Sequence, residues 1–255
     1  MVENEIRGNN VKHRLQFAVL CAALAVTAGL IVVFSVRNDS ASDREISFAS
    51  ASDSYPNQSV TDWVTYADHV VVVTPTAERD QSISAEDRER GEGVVLRELE
   101  LRVDATLWSS PKAAQPTPKS FDWLAWGWSF KNGDTGRKTK MASHGAPRIE
   151  MGHSYVMAII WEEARCSEGD GVTPAQWGGL GSGAVIPFDS ATIGQGEFEG
   201  AVRTPAQADA KADDHVSDGG VQARLMGKGT SALVAELKSA VPTERKRVAP
   251  AAPCK

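Results

Sequence analysis

The chain has 255 residues, 42% of them hydrophobic, with 27 Lys and Arg against 33 Asp and Glu and a formal net charge of −6. That acidic balance excludes the clustered basic footprint nucleic acid requires and argues against a domain lying flat on anionic lipid. The length suits one core of about 140 residues with additional segments.

From the N-terminus, residues 1–14 read as a short cytoplasmic tail carrying Arg7, Lys12 and Arg14. Leu15 to Val36 follows, 22 residues with no ionisable group except the Cys21 thiol. As a helix it spans about 33 Å, enough to cross a hydrocarbon core of about 30 Å. The run is longer than the apolar region of a cleaved signal peptide, and Phe34-Ser35-Val36-Arg37 is a poor cleavage site. A retained single-pass anchor in the plasma membrane is therefore expected. Three basic residues precede it and two, Arg37 and Arg44, follow within 20 residues. The excess favours the N-terminus inside and the bulk of the chain outside. Ala18, Ala22, Ala25 and Gly29 fall on one face of this helix and form a candidate homodimer surface, because small residues permit close helix approach. With three of the basic and two of the acidic residues lying before position 37, residues 37–255 carry a net −7.

Residues 37–58, rich in Ser, Asp, Ala and Asn, read as a flexible spacer. Ser59-x-x-Asp62 resembles a capping box and predicts a helix over 60–67, with Val60, Trp63 and Val64 on its apolar face. Val70 to Val73 predicts a strand buried on both faces, within 69–74. The charged stretch 78–93 reads as an exposed loop. From 95 to 108, Leu99, Leu101, Val103, Ala105 and Leu107 alternate with Glu98, Glu100, Arg102, Asp104 and Thr106, the pattern of a half-buried strand. A Trp-rich strand is predicted over 121–130, followed by strands over 154–161 and 184–186 and a hairpin edge over 192–198. Residues 205–220 read as a mobile linker. Thr230 is positioned to cap a helix to about 240, and 242–255 is disordered by composition.

These elements make the chain mainly β with flanking helices, the domain covering 59–204 and the linker and C-terminal helix 205–241. The strands suggest a small, closed or partly closed antiparallel barrel. Ala67-Asp68-His69 leads into the Val-rich strand, and Gly152-His153-Ser154-Tyr155 opens a later one. This order resembles the OB-type barrel of exported bacterial proteins and, more distantly, netrin/TIMP-like modules. The stretch Trp177-Gly178-Gly179-Leu180-Gly181-Ser182-Gly183 through Gly194-Gln195-Gly196-Glu197 is similar to uncharacterised membrane-anchored proteins of actinobacteria. The resemblance covers about residues 60–200 and implies a fold rather than a chemistry. TIMP-like inhibition is not carried over, because that chemistry needs an N-terminal Cys and this domain follows a spacer.

No catalytic, metal or cofactor motif stands out. His13, His69, His144, His153 and His215 lie in separate segments without a metal-ligand spacing. Gly181-Ser182-Gly183 lacks the spacing and the following helix of a nucleophile elbow, so its glycines read as turn residues. Asp213-Asp214-His215 with Asp218 lacks calcium-loop spacing, and the adjacent Glu162 and Glu163 point to opposite faces of a strand. Outside the cytoplasm Cys166 and Cys254 form a candidate disulfide. Trp126 and Trp128 share parity on the Trp-rich strand. They are either core or an aromatic platform for a protein or glycan. The expected function is a non-enzymatic, membrane-anchored binding or assembly module of the cell envelope, in contact with the bilayer through 15–36. The alternative is an envelope hydrolase with dispersed active-site residues.

Overall fold

The computed structural model describes residues 46–49, 53–167, 171–203 and 220–245. The Leu15–Val36 run lies outside these, with its dimer-face residues Ala18, Ala22, Ala25 and Gly29, and so do His13, Asp213, Asp214, His215, Asp218 and Cys254. Among the described residues no helix is long and apolar enough to cross a membrane.

Mainly β architecture is observed. The large sheet contains β1 (Ile46–Ala49), β2 (His69–Asp80), β3 (Gly93–Ser109), β4 (Ser120–Phe130), β5 (Thr139–Ser143), β6 (Tyr155–Glu162), β9 (Gln176–Gly179) and β10 (Val185–Pro187). Its order is β1-β5-β4-β3-β2-β6-β10, with β9 also paired to β6. Two small hairpins stand apart: β7 (Arg165–Ser167) with β8 (Gly171–Thr173), and β11 (Gly196–Phe198) with β12 (Ala201–Arg203). The helices are α1 (Val60–Tyr66), α2 (Ala85–Arg90), α3 (Val221–Leu225) and α4 (Thr230–Ser239).

Of the closed or partly closed barrel expected, the closed form is not observed: among the described residues no ladder joins the ends of this sheet. Nor is the sheet wholly antiparallel, because β1 pairs with β5 in parallel, Ile46 opposite Lys140. That strand lies inside the stretch read as a spacer, and Asn57, near the end of the same stretch, is buried.

Local signals held where they were strong. Ser59 caps α1 in a reciprocal box with Asp62, the Asp62 N–H donating to Ser59 Oγ at 3.0 Å and the Ser59 N–H to Asp62 Oδ2 at 2.8 Å. Val70 to Val73 is buried throughout. Val70 and Val72 join Trp63, Ile186, Leu233 and Leu237 in a core under the helices. Val71 and Val73 face the other way, onto Leu99, Leu101, Phe121 and Met157. Other boundaries moved. β2 runs on to Asp80 because its charged half pairs with β3, Glu78 opposite Leu99 and Asp80 opposite Arg97. The rest of the expected loop contains α2, capped by Ser84 and ended by Gly91 at φ +74°. At the C-terminal helix Gly229, not Thr230, is the N-cap.

The Trp-rich strand holds the main departure. Val95 pairs with Trp128 and Arg97 with Ala125, so β3 advances two residues where β4 advances three. This is a β-bulge, and it reverses the facing of β4 at Trp126 and Gly127. Directly opposed residues share a face, so Trp128 lies on the side of Val95 and Ala125. Trp126 and Trp128 therefore do not share a face as equal parity suggests. Gly127 is required at the bulge, because a Cβ there would collide with the Val95 carbonyl oxygen. Gly127→Ala is expected to lower stability by about 1–3 kcal/mol, the usual cost of forcing atoms into filled space. Urea unfolding monitored by Trp fluorescence measures it.

Candidate functional site

The bulge frees backbone carbonyls, and two buried arginines take them. Arg97 Nε donates to Trp126 O at 2.8 Å, and Arg148 Nη2 donates to Gly127 O at 2.7 Å. Arg97 Nη2 also donates to Arg148 O and Ile149 O, and Arg148 Nε to Met141 O at 2.7 Å. Arg97 Nη1 lies 3.2 Å from Glu78 and 3.6 Å from Glu150 but makes no aligned hydrogen bond, so its part is charge neutralisation. Arg148 Nη1 donates to Glu150 at 2.6 Å, and its guanidinium sits 4.8 Å above the Trp128 ring. Trp128 Nε1 donates to Asp80 at 3.0 Å. Burial lowers the Arg148 pKa, with Arg97 adding to the effect and Glu150 opposing it. Burial would raise that of Glu150, but Arg148 and Lys140 outweigh it and hold the carboxyl below its ordinary value.

Glu197 on β11 fixes the loop that carries Arg148. Its Oε1 accepts the N–H groups of Arg148 (3.0 Å) and Gly200 (2.7 Å). Its Oε2 accepts the Ile149 N–H at 3.0 Å and the Tyr155 hydroxyl at 2.9 Å. Ile149 sits at φ +63°, a left-handed conformation disfavoured for a β-branched residue and maintained by this clamp. Burial pushes the Glu197 carboxyl above its ordinary range, against the pull of those donors. It also pushes the Tyr155 phenol far up, with Glu197 adding to the effect.

On this frame lies a cleft of about 500 Å³. One wall is Trp123 to Trp126 of β4, a second is Ser143 to Ile149, and a third is Gly179, Gly181, Ser182 and Val185. Asp53 stands at its edge and straps the third wall: Ser182 N–H and Oγ donate to its carboxylate at 3.0 and 2.8 Å. Asn57 holds the same turn, donating to Leu180 O and accepting from the Gly183 N–H. Gly181 has φ +143°, and a side chain there would strike Asn57 and Asp53. A second cavity of about 460 Å³ lies beside Glu100, Asp122, Trp123, Leu124 and Gln176.

Trp126 therefore lines the cleft, whereas Trp128 covers Arg148 on the other face of the strand; the two are not brought together. The cleft's aromatic pair is Trp123 and Trp126. His144 lines it too, stacked on Phe48 at 4.3 Å between centroids. His69 is buried and ties down the 110–119 loop, Nε2 lying 2.9 Å from Gln115 O and Nδ1 2.8 Å from Ser109 Oγ. His153 Nδ1 lies 2.5 Å from Asp189, outside the cleft. Cys166 on β7 is disulfide-bonded. Among the described residues no group of three or more His, Cys, Asp or Glu is placed to hold a metal ion.

Sequence reasoning passed over Arg97, Arg148 and Glu197. One signal was present: Arg97 shares parity with Val95, Leu99 and Leu101 and so falls on the inward face of β3.

Fold and site together define a mainly β domain with an open sheet and an aromatic-walled cleft. Compared with known proteins, the chain matches no family model, no curated protein and no solved structure.

Proposed function

We propose that the chain is a single-pass protein of the plasma membrane, anchored by residues 15–36, whose extracytoplasmic β-domain is a non-enzymatic binding and assembly module of the cell envelope. The observation that carries the binding reading is the cleft of about 500 Å³ with Trp123 and Trp126 in its walls and a few polar groups at its edge. A concave, mainly apolar site with sparse polar groups is the usual form of a recognition site. The finer fold reading belongs to the same proposal: an OB-like barrel left open at one seam, supported by the antiparallel succession β4-β3-β2-β6-β9. So do the resemblance to actinobacterial membrane-anchored proteins, the Cys166–Cys254 pair, and pairing of two copies through Ala18, Ala22, Ala25 and Gly29.

A photo-crosslinking residue at Leu124, beside the cleft, is expected to yield a discrete adduct with an envelope component in native membranes. The same residue at the exposed Val172 is the control. Equal or absent adducts at both positions defeat the binding reading. Release of the full chain by alkaline carbonate defeats the anchor.

A hydrolase is the second reading, favoured because Asp53, His144 and Ser182 line one cleft. Its geometry is weaker. The Ser182 hydroxyl donates to Asp53, a feeble base, rather than to an imidazole that could take its proton. Labelling of Ser182 by a fluorophosphonate, lost in Ser182→Ala, would favour it.

A further inference from the structure

The open seam of the sheet lies between β4 and β9, and both cavities line it. The Val103 N–H donates to Lys119 O at 2.9 Å, in register with the β3–β4 pairs. Antiparallel alternation then turns the backbone groups of Phe121, Trp123 and Ala125 toward β3 and those of Asp122 and Leu124 outward. The Leu180 N–H donates to Ala158 O at 3.3 Å, in register with β6–β9. The same alternation turns Trp177 and Gly179 outward from β9. Among the described residues, two sets of amides and carbonyls without ladder partners thus flank one seam. The Trp123 ring lies across it: a Cβ on Gly179 would come within 2.6 Å of Trp123 Cη2.

Ahead of the bulge at Trp126 and Gly127, this edge lacks two of the usual guards. From Phe121 to Phe130 there is no Lys and no Pro, two of the residues that blunt exposed edges. The charge beside it is net acidic: Glu98, Glu100 and Asp122 line the second cavity, and the cation among them, Arg79, is paired with Glu98 and shared with Asp122. Glu100 opposes Asp122 directly across the strands, an unfavourable like-charge pair, and neither makes a close ion pair of its own among the described residues. A cationic group would relieve that pair.

Resting on the binding reading above, we infer that the occupant is an extended basic segment of a partner protein, which adds as a strand along the outward edge of β4 at Asp122 and Leu124. Its main chain pairs with those residues, an apolar side chain enters the cleft beside Trp126, and a Lys or Arg meets Glu100 and Asp122. Admitting it widens the β4–β9 gap to about twice the 4.8 Å ladder spacing and lifts Trp123 from Gly179.

The test uses the full chain in detergent micelles, isotope-labelled for amide resonances, and three capped octapeptides: alternating Lys-Val, the same with alternate amides N-methylated, and alternating Glu-Val. Lys-Val is expected to shift the amides of Asp122, Leu124, Trp177 and Gly179. N-methylation is expected to weaken binding at least tenfold, and Glu-Val to bind at least tenfold more weakly. Leu124→Pro, which removes one outward N–H and no bond to β3, is expected to weaken Lys-Val at least fivefold. Equal binding by the N-methylated peptide overturns strand addition while leaving the cleft a binding site. So does a failure of every peptide to bind when the Leu124 crosslink still forms. Equal binding by Glu-Val overturns the charge assignment, and self-association that Lys-Val cannot compete away overturns the partner in favour of a second copy.

Discussion

Glu197→Ala is expected to remove about 3–6 kcal/mol of folding stability, enough to unfold most domains of ordinary stability. One carboxylate satisfies four donors, the N–H groups of Arg148, Ile149 and Gly200 and the Tyr155 hydroxyl. Each buried donor left without an acceptor costs about 1–3 kcal/mol, and Ile149 would lose the clamp that maintains its positive φ. Urea unfolding of the parent and variant gives the difference.

The same residue sets a pH dependence. Its folded pKa is raised by burial, so above the ordinary glutamate pKa of about 4.3 the native state binds more protons than the unfolded chain. Stability from this group is complete below that value and lost as pH rises through the folded pKa. Glu150 acts in the opposite sense: its folded pKa is lowered, so its contribution is present above the ordinary value and lost as pH falls. Glu197→Gln is expected to flatten the decline on the alkaline side while leaving the acid limb. Unfolding midpoints between pH 4 and pH 8 read both limbs, and an unchanged alkaline slope would show that Glu197 is not the titrating group.

Arg97→Leu is expected to cost about 3–5 kcal/mol, the range for breaking a buried charge cluster on one side. The side chain is fully buried and serves three carbonyls, those of Trp126, Arg148 and Ile149, besides neutralising Glu78 and Glu150. Leucine fills part of the volume but removes the donor to those carbonyls and the cation beside Glu78, while Glu150 keeps Arg148 and Lys140. Arg97→Lys keeps the charge and is expected to recover less than half the loss, because one ammonium cannot reproduce a planar fork with separate donors to Trp126 and the 148–149 loop. Thermal unfolding ranks the three proteins. Because Arg97 and Arg148 hold Trp126 and Gly127 of the bulge, the leucine variant is also expected to alter the Trp126 wall of the cleft.

The elements legible in the sequence were those whose signal is local. A Ser and an Asp three residues apart begin α1, a run of valines makes a two-sided strand, and the alternation around Leu99 and Leu101 makes the long β3. Period and capping act within a few residues, so no knowledge of distant segments was needed. The length and apolarity of Leu15–Val36 likewise come from composition alone. Tertiary structure decided the rest. Whether β4 keeps one facing along its length depends on a bulge set by pairing with β3, and that separates Trp126 from Trp128. The bulge is tolerable only because Arg97 and Arg148 arrive to occupy its carbonyls, Arg148 from a loop 21 residues beyond Gly127 and itself clamped by Glu197 a further 49 residues on. The cleft is built from β4, the 143–149 loop and the turn after β9, strapped by Asp53, a residue 129 positions earlier than Ser182. Hydrogen bonds across such separations leave no periodic trace in the chain, so the sequence determined α1, the central parts of β2, β3, β4 and β6 and the anchor-length run, while only folding decided that β1, β5 and β9 would form and which carbonyls, carboxylates and indoles would meet.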